Sequence, residues 1–379
     1  MIWNSGFVRP LAATLAILIL SFWVGAASPT GVRPSSDKRT EVLIAPFVST
    51  YKGSAPGFKG VTDAMDLLVE NGTNVYMFAC KWKELEPAPG KFNLQEHLIN
   101  SLTMLVPRYS QLKGVVLMLQ MIDTNWRPMP DDLSTKPFDD PAVLQRFDAL
   151  IDAIAAQPSS KRITHILLGN EVDGYLGQHP EEVAPFLTFY KSGVERVHQR
   201  LPGVNVGTIF TAGGAMHGSP QAFDELNKYS DFVDFTYYPI TATGQGNAMS
   251  TWQMRPMEES LAELAHLVER AGDKPFSFTE IGYSASPVNN SSEEKQAEFV
   301  RGMFRVLDPD RQKGQIAFIL YHAMYDYPPG VCTPYAQQQG VPGDAICAFM
   351  ENLGLRSYAT GAPRKAWDAF VEGVKKWNR

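Results

Sequence analysis

The feature that most constrains the fold of this chain is an eightfold alternation of short apolar runs with polar, helix-like stretches. The apolar runs are EVLIAPFVS (41–49), NVYMFACKW (74–82), GVVLMLQMID (114–123), HILLGNE (165–171), NVGTIFTAGG (205–214), FVDFTYYPI (232–240), PFSFTEIGY (275–283) and QIAFILYHAMYD (315–326). Most of them are apolar throughout rather than at every second residue, which is typical of parallel strands covered by helices. The chain is therefore predicted to be an α/β protein.

Stretches with helical periodicity and helix-end signals separate these runs. They are VTDAMDLLVENG (61–72), DPAVLQRFDALIDAIAAQ (140–157), MEESLAELAHLVERAG (257–272), SEEKQAEFVRGMFRVL (292–307) and PRKAWDAFVEGVKKW (363–377). The first ends on Asn-Gly, the second begins with Asp-Pro, and the third and fourth carry acidic residues early, as helix ends favour.

Two architectures accommodate strand–helix alternation, the closed (β/α)8 barrel and the open doubly wound sheet. Eight units favour the barrel, and the first unit lacks the GxGxxG sequence of a dinucleotide-binding sheet. No low-complexity linker divides the chain, so we expect a single (β/α)8 TIM barrel over residues 41–379, preceded by a linker at 28–40.

The first 27 residues predict export. LAATLAILILSFWVGAAS (11–28) is an apolar segment that follows Arg9 and ends in small residues, which is the outline of a secretory signal. The run is long for a signal, so a single uncleaved anchor helix stays as the alternative. Either interpretation places the remainder in a secreted, periplasmic or cell-envelope location, with membrane contact only through this segment.

Charge and cysteine content limit which partners, metals and cofactors the chain is expected to bind. The formal net charge is −6, and no basic block is present to bind phosphates, so a nucleic-acid partner is not expected. Cys332 and Cys347 flank a polar loop and are predicted to form a disulfide, whereas Cys80 lies in an apolar run and is predicted to be a buried thiol. Neither CxxC nor HExxH occurs, so no metal site and no cofactor are predicted.

Polar and aromatic residues follow the predicted strands. In a barrel the carboxyl ends of the strands carry the active site. These ends present Lys81 and Trp82, Asp123 to Trp126, Asn170 and Glu171, Tyr237 and Tyr238, Thr279 and Glu280, and Tyr321 and His322. Two carboxylates would thus face each other, ringed by indoles and phenols that suit sugar rings.

Several of these motifs resemble the clan A glycoside hydrolases, which are retaining enzymes on an eightfold barrel. The motifs are GNE at the fourth strand, FTEIGY at the seventh, YYP after the sixth, WKELEPAPGKF after the second and the tail ENLGLRSYATGAPRKAWDAF. The nearest similarity is to the family 53 galactanases and mannanase-like families.

The resemblance implies a role for each matching residue. Glu171 would be the acid/base and Glu280 the nucleophile of double-displacement cleavage of a β-linked oligo- or polysaccharide. Asn170 would bind the sugar 2-hydroxyl, and Tyr238 would hold the nucleophile. Trp82, Trp126 and Tyr321 are candidate stacking platforms.

The sequence departs from the clan pattern at two positions, and both bear on which sugar is bound rather than on which reaction is catalysed. Lys81 or Lys83 stands where the clan often has Arg, and Lys lacks the bidentate fork. If Tyr321 is the counterpart of the frequent eighth-strand Trp, a phenol replaces an indole. Two alternatives stay open, a non-hydrolytic carbohydrate-binding barrel and a transglycosylase that uses the same residues.

Overall fold

Parallel β-strands form the centre of the molecule. The computed structural model describes residues 41–243, 251–339 and 343–378. Its strands are β1 (Ile44–Pro46), β2 (Val75–Lys81), β3 (Gly114–Asp123), β4 (His165–Asn170), β5 (Asn205–Gly207), β6 (Ile209–Thr211), β7 (Val233–Tyr237), β8 (Ile240–Thr243), β9 (Thr251–Met254), β10 (Phe276–Ile281) and β11 (Ile316–Tyr321). One parallel sheet has the order β1-β11-β10-β7-β6 and a second has the order β2-β3-β4-β5, while β8 and β9 form an antiparallel hairpin.

Local hydrogen bonds connect the two parallel sheets at both junctions. β5 and β6 are consecutive pieces of one extended segment, interrupted at Thr208, whose hydroxyl donates to the carbonyl of Leu168 (2.8 Å). At the other junction, the backbone N–H of Ile44 donates to the Asn74 side-chain carbonyl (2.8 Å), and the Asn74 N–H donates to the Ile44 carbonyl (3.3 Å). The spatial order of the strands therefore follows the sequence, as in an eightfold barrel.

Helices connect successive parallel strands, and three more follow the last strand. They are α1 (Phe58–Glu70), α2 (Trp82–Leu85), α3 (Pro141–Ala155), α4 (Val172–Gln178), α5 (Val183–Arg200), α6 (Pro220–Asn227), α7 (Met257–Arg270), α8 (Glu293–Val306), α9 (Cys332–Gln339), α10 (Gly343–Met350) and α11 (Lys365–Trp377). Short 3-10 or π turns occur at Gln95–Ile99, Ser101–Leu105, Val106–Arg108, Pro158–Arg162, Pro180–Glu182, Gly214–Gly218 and Pro287–Asn289.

The predicted helix signals act as expected at two helix starts. The Asp140 carboxylate accepts from the N–H of Ala142 (2.8 Å), with Pro141 at the first helical position of α3. The Ser292 hydroxyl accepts from the N–H of Lys295 at the start of α8 (3.3 Å). Each cap satisfies a backbone donor that the helix itself leaves unpaired.

The alternation of side chains along each strand divides the apolar residues into two layers. A small inner cluster includes Val75, Met77, Phe318 and Leu320. A larger outer cluster lies between the strands and the helices and takes the intervening residues of the same strands. Because successive strand residues point to opposite faces, this division fixes which strand-end side chain faces inward.

All eight predicted runs contain parallel strand residues, so the predicted α/β class is confirmed. From residue 40 onward the chain forms one compact unit. Among the described residues, no helix has the combination of length and apolarity needed to span a bilayer. The predicted signal or anchor segment and the linker at 28–40 lie outside the described residues.

The cysteine predictions are confirmed. Cys332 and Cys347 form a disulfide across a separation of 15 residues, and Cys80 is a buried free thiol. The Cys80 sulfur contacts the carbonyl of His97, and burial raises the pKa of the thiol to about 12. The thiol is therefore inert, whereas the disulfide joins α9 to α10.

Replacement of both Cys332 and Cys347 by Ser should lower the free energy of unfolding by about 3 kcal/mol, since the disulfide closes a short loop in the unfolded chain. Denaturant unfolding measures this loss. Thiol titration of the unreduced, denatured protein should find one free cysteine, and Cys80→Ala should leave none. Three reactive thiols in the unreduced protein would contradict the disulfide.

Candidate active site

Glu171 is presented by a left-handed turn between β4 and α4. Its backbone lies at φ 46° and ψ 50°, a region that residues other than Gly, Asn and Asp rarely adopt. Gly169, two residues earlier, has φ 90°, and a Cβ there would approach Val172 to 2.5 Å. Strained backbone of this kind concentrates at functional sites. Here it places the carboxyl of Glu171 at the carboxyl end of the fourth strand.

Two threonine hydroxyls hold the Glu171 carboxyl. Thr124, just beyond β3, donates to Oε2 (2.8 Å), and Thr236 on β7 donates to Oε1 (2.6 Å). The group is therefore fixed from two sides, by the residue that follows the adjacent strand β3 and by the more distant strand β7. Glu171 stays partly exposed, so a ligand can reach it from the mouth of the sheet.

Glu280 is brought next to Glu171 by β7 and β10. Thr236, the residue that bonds Glu171, is the register partner of Glu280. The pairing shifts register between Phe278 and Glu280, an irregularity of the kind that re-aims a side chain. The hydroxyl of Tyr238 donates to Glu280 Oε2 (2.6 Å). The predicted carboxyl pair and its predicted tyrosine therefore lie together.

The two carboxyl groups differ in their tendency to ionise. Burial, followed by the negative charge of Glu280, raises the pKa of Glu171 to about 8, while the two threonine hydrogen bonds oppose this shift. Burial raises the pKa of Glu280 to about 6, opposed by the hydrogen bond from Tyr238. Near neutral pH the site therefore holds a protonated Glu171 beside an ionised Glu280.

Asn170 lies beside this pair and is oriented by Asp123. Its amide nitrogen donates to Asp123 Oδ1 at the end of β3 (3.0 Å). Its amide oxygen is buried and has no hydrogen-bond partner among the described residues. An unpaired buried acceptor is unfavourable, so this oxygen is suited to accept from a ligand hydroxyl.

Tyr321 is a core residue, whereas His322, just after the eighth parallel strand, packs against Tyr238, the residue that bonds Glu280. Tyr321 belongs to the outer cluster, is fully buried, and has its hydroxyl against the backbone of Tyr283 (3.4 Å to the nitrogen). The next residue points inward, where the His322 ring meets Tyr238 edge-on at 6.2 Å and stacks on Phe47 at 5.4 Å. The predicted stacking role of Tyr321 is therefore wrong, because the side chain is buried in the outer cluster.

Trp82 is also a core residue and not a stacking platform. It is 1% exposed, packs against Phe147 and Phe189, and donates from its indole nitrogen to Glu86 (2.9 Å). On β2 the inward face belongs to Val75, Met77, Ala79 and Lys81, so the following residue turns outward. The predicted stacking role of Trp82 is therefore wrong, because alternation along β2 turns its side chain into the core.

Trp126 and Lys81 do lie at the mouth. Trp126 is 39% exposed, and the Lys81 ammonium lies 5.1 Å from the centroid of its ring. Ala79 is exposed although it is within a strand, which shows that the inner face is open below Lys81. These residues keep their predicted place beside the carboxyl pair.

Three polar partners of the site carry no sequence motif of their own. Thr124 and Thr236 hold Glu171, and Asp234 accepts from Thr279 Oγ1 (2.6 Å) and from Ser277 beneath Glu280. Burial raises the pKa of Asp234 to about 7. The sequence offers one signal that could have located Asp234 and Thr236. They precede the motif residue Tyr238 by four and two positions, a spacing that puts side chains on the same face of an extended segment.

One trio of described side chains could bring metal-ligand atoms together, namely Cys332, Cys347 and Glu351. Its two sulfur atoms are joined in the disulfide and offer no thiolate. The site around Glu171 and Glu280 contains hydroxyl, amide and phenol partners suited to an organic ligand with many hydroxyl groups.

Neither a protein-family model nor a curated protein sequence matches the chain. Its fold is that of glycoside hydrolases of known structure. The exo-beta-1,4-mannosidase Op5Man5 from Opitutaceae bacterium strain TAV5 has a TM-score of 0.63 at 17% identity, over 88% of this chain and 59% of that one. The chain thus spans under two thirds of that enzyme.

Two further structures extend the likeness to other glycoside hydrolases. GH5_18 from Bifidobacterium longum subsp. infantis has a TM-score of 0.63 at 17% identity, over 88% of this chain and 79% of that one. The GH53 catalytic domain from Ignisphaera aggregans has a TM-score of 0.56 at 17% identity, over 81% of this chain and 87% of that one. The resemblance predicted from the strand-end motifs is therefore confirmed at the level of the fold.

Replacement of Thr236 by Val should raise the pKa of Glu171 further, because the lost hydroxyl donates to the carboxylate form. Carbon-13 NMR of labelled glutamate side chains across a pH titration would follow both carboxyls. The exposed Thr188→Val change on α5 removes a hydroxyl far from the site and should leave both titrations unmoved. A Glu171 that titrates below Glu280 would contradict this assignment.

Proposed function

We propose that this chain is a retaining glycoside hydrolase that cleaves a β-linked oligo- or polysaccharide by double displacement. One observation carries the proposal: β7 and the residue just beyond its end bond the two carboxyl groups, Thr236 to Glu171 and Tyr238 to Glu280. Retaining cleavage requires a carboxylic acid and a carboxylate fixed close together, about 5.5 Å apart. The shared strand and the opposite ionisation states support this arrangement.

In the first step the Glu280 carboxylate attacks the anomeric carbon while Glu171 transfers its proton to the departing glycosidic oxygen. The bond to the leaving alcohol breaks and a covalent glycosyl ester forms on Glu280. In the second step the Glu171 carboxylate takes a proton from water. The resulting hydroxide attacks the anomeric carbon from the other face, releases Glu280 and returns Glu171 to its acidic form.

The neighbouring residues support each step. The Tyr238 hydroxyl stabilises the ionised form of Glu280 before attack. The unpaired Asn170 oxygen would accept from the sugar 2-hydroxyl, a contact that strengthens in the transition state. Trp126 and Lys81 would contact the sugar at the mouth, as predicted from the sequence.

Two alternatives to a hydrolase, a carbohydrate-binding barrel and a transglycosylase, would use these residues differently. A non-hydrolytic carbohydrate-binding barrel has no need for a protonated carboxyl beside an ionised one, so the pKa difference favours catalysis. A transglycosylase would use both glutamates and replace water with a sugar hydroxyl in the second step. The nature of the acceptor in the products distinguishes it from the hydrolase.

The neighbours suggest where a substrate search should begin. Op5Man5 is named an exo-beta-1,4-mannosidase, and a GH5_18 structure from Bifidobacterium longum subsp. longum contains Manβ1-4GlcNAc. We propose that residues 41–379 form one (β/α)8 catalytic domain that acts after export in a secreted, periplasmic or envelope location. The disulfide supports an oxidising compartment.

Hydrolysis should proceed with retention at the anomeric carbon. A panel of aryl β-glycosides, including β-mannosides, supplies the substrates, and proton NMR of the first-formed sugar reports its configuration. The β anomer should appear first, because two displacements restore the starting configuration. Early α anomer would mean that water attacks directly, and the absence of cleavage on the whole panel would refute the hydrolase.

The two glutamates should respond differently to replacement by Ala. Glu280→Ala removes the group that forms the covalent ester, so turnover should fall to near background on every substrate. Glu171→Ala should reduce turnover by about 10²–10⁴-fold with a poor leaving group. The loss should be smaller with a dinitrophenolate, which departs without a proton.

Added azide identifies which face is vacant in each variant. It should rescue Glu171→Ala and give the β-glycosyl azide, whereas Glu280→Ala should give the α-azide from the nucleophile side. The exposed Glu96→Ala change serves as the matched control and should retain wild-type turnover. Azides of swapped configuration would exchange the two roles, and full activity of either variant would overturn the mechanism.

A further inference from the structure

Two lysines place their ammonium groups over one exposed indole at the mouth of the site. Lys81 Nζ lies 5.1 Å and Lys83 Nζ 4.6 Å from the centroid of Trp126. All three side chains are partly exposed or exposed. We refer to Lys81 and Lys83 as the lysine pair. An aromatic ring suits a sugar face, whereas two cations beside it favour an anion.

The charges of the lysine pair are weakly compensated by the protein. Lys81 has one carboxylate neighbour, Glu84, at the long distance of 3.9 Å. Within the described ranges, Lys83 has no carboxylate within ion-pair distance. In contrast, Arg127 on the same loop as Trp126 pairs with Glu182 at 3.2 Å. The lysine pair therefore offers positive charge that a ligand can use.

The indole is fixed to the acid/base side of the carboxyl pair. Asp123 and Trp126 exchange two backbone hydrogen bonds (2.8 and 3.0 Å), which close a tight turn. Thr124, inside that turn, donates to Glu171. A ligand that contacts Trp126 is therefore held next to the group that protonates the leaving oxygen. Lys81 stands above the exposed Ala79 on the inner face of β2.

We propose that the sugar bound beside Trp126 carries an anionic group, a carboxylate or a sulfate ester, which the lysine pair recognises. This inference rests on the proposed hydrolase function and names its substrate class as an acidic β-glycan. A neutral sugar can accept hydrogen bonds from the two ammonium groups through its hydroxyl oxygens, but it leaves their positive charges uncompensated as they lose water. An anion with two or more oxygens can accept from both lysines at once, since each ammonium donates up to three hydrogen bonds.

A binding measurement on the Glu280→Gln variant tests the inference, because the ligand then stays intact. The probes are neutral Manβ1-4GlcNAc and two derivatives of the same disaccharide in which the GlcNAc, the sugar on the leaving-oxygen side, carries either a C6 carboxylate or a 6-sulfate. Calorimetry at low salt should show at least one charged probe binding about three- to tenfold more tightly than the neutral one, the range expected for partly exposed ion pairs. Added salt should reduce this preference. The stronger of the two charged probes identifies the anion.

Charge-removing variants identify the groups responsible. Lys81→Met with Lys83→Met retains two long apolar side chains and should abolish the preference, measured within this variant as the ratio of charged-probe to neutral-probe affinity. Lys→Arg at both positions should restore the preference. Lys161→Met is the matched control, an exposed lysine before β4 at the opposite ends of the strands, and should change nothing.

The result separates this inference from the hydrolase itself. Equal binding of charged and neutral probes, or a preference that survives both Lys→Met changes, would overturn the acidic substrate class while wild-type cleavage of aryl β-glycosides still supports the hydrolase. The absence of any cleavage would refute the hydrolase, and the binding preference would still report on the lysine pair.

Discussion

One face of a single strand, β7, organises the chemistry of this protein. Asp234 and Thr236 alternate along it, and Tyr238 follows its last residue. Asp234 accepts from Thr279 on β10, Thr236 donates to Glu171, and Tyr238 donates to Glu280. Because the strand is hydrogen-bonded on both edges, these three partners are held at fixed spacing. The rest of the site depends on this spacing, since a carboxyl pair is useful only at a defined separation.

The arrangement is energetically unfavourable for the fold and favourable for the reaction. Burial of several carboxyl groups in one region raises their pKa values, and each such group would be more stable in water. Hydroxyl donors offset part of this cost without supplying a countercharge. As a result Glu171 keeps its proton near neutral pH, which is what a general acid requires.

The two sides of the site mouth differ in chemistry, one aromatic and the other positively charged. Glu280 is bonded by Tyr238, which packs against His322. Glu171 is bonded by Thr124, in the turn that carries Trp126 and the lysine pair beside it. The first side suits a neutral sugar ring, and the second suits a charged substituent. The proposed preference for an acidic substrate rests on this asymmetry.

The sequence by itself determined the strand–helix alternation, the two glutamates at the fourth and seventh strand ends, and the disulfide. Each of these follows from local patterns, because periodicity, turn signals and residue chemistry are properties of short segments. The sequence also located Tyr238, Asn170, Trp126 and Lys81 near the site. It could not decide which of two neighbouring residues at a strand end points inward.

Only the tertiary structure decided that choice. Lys81 lies on the inner face of β2, whereas Trp82 and Tyr321 belong to the outer cluster, because closure of the strands fixes which alternate residues point inward. The same closure brings Thr124 and Thr236 to Glu171 from positions 47 and 65 residues away. Contacts across such separations are set by register between strands, a quantity that no local pattern of residues contains.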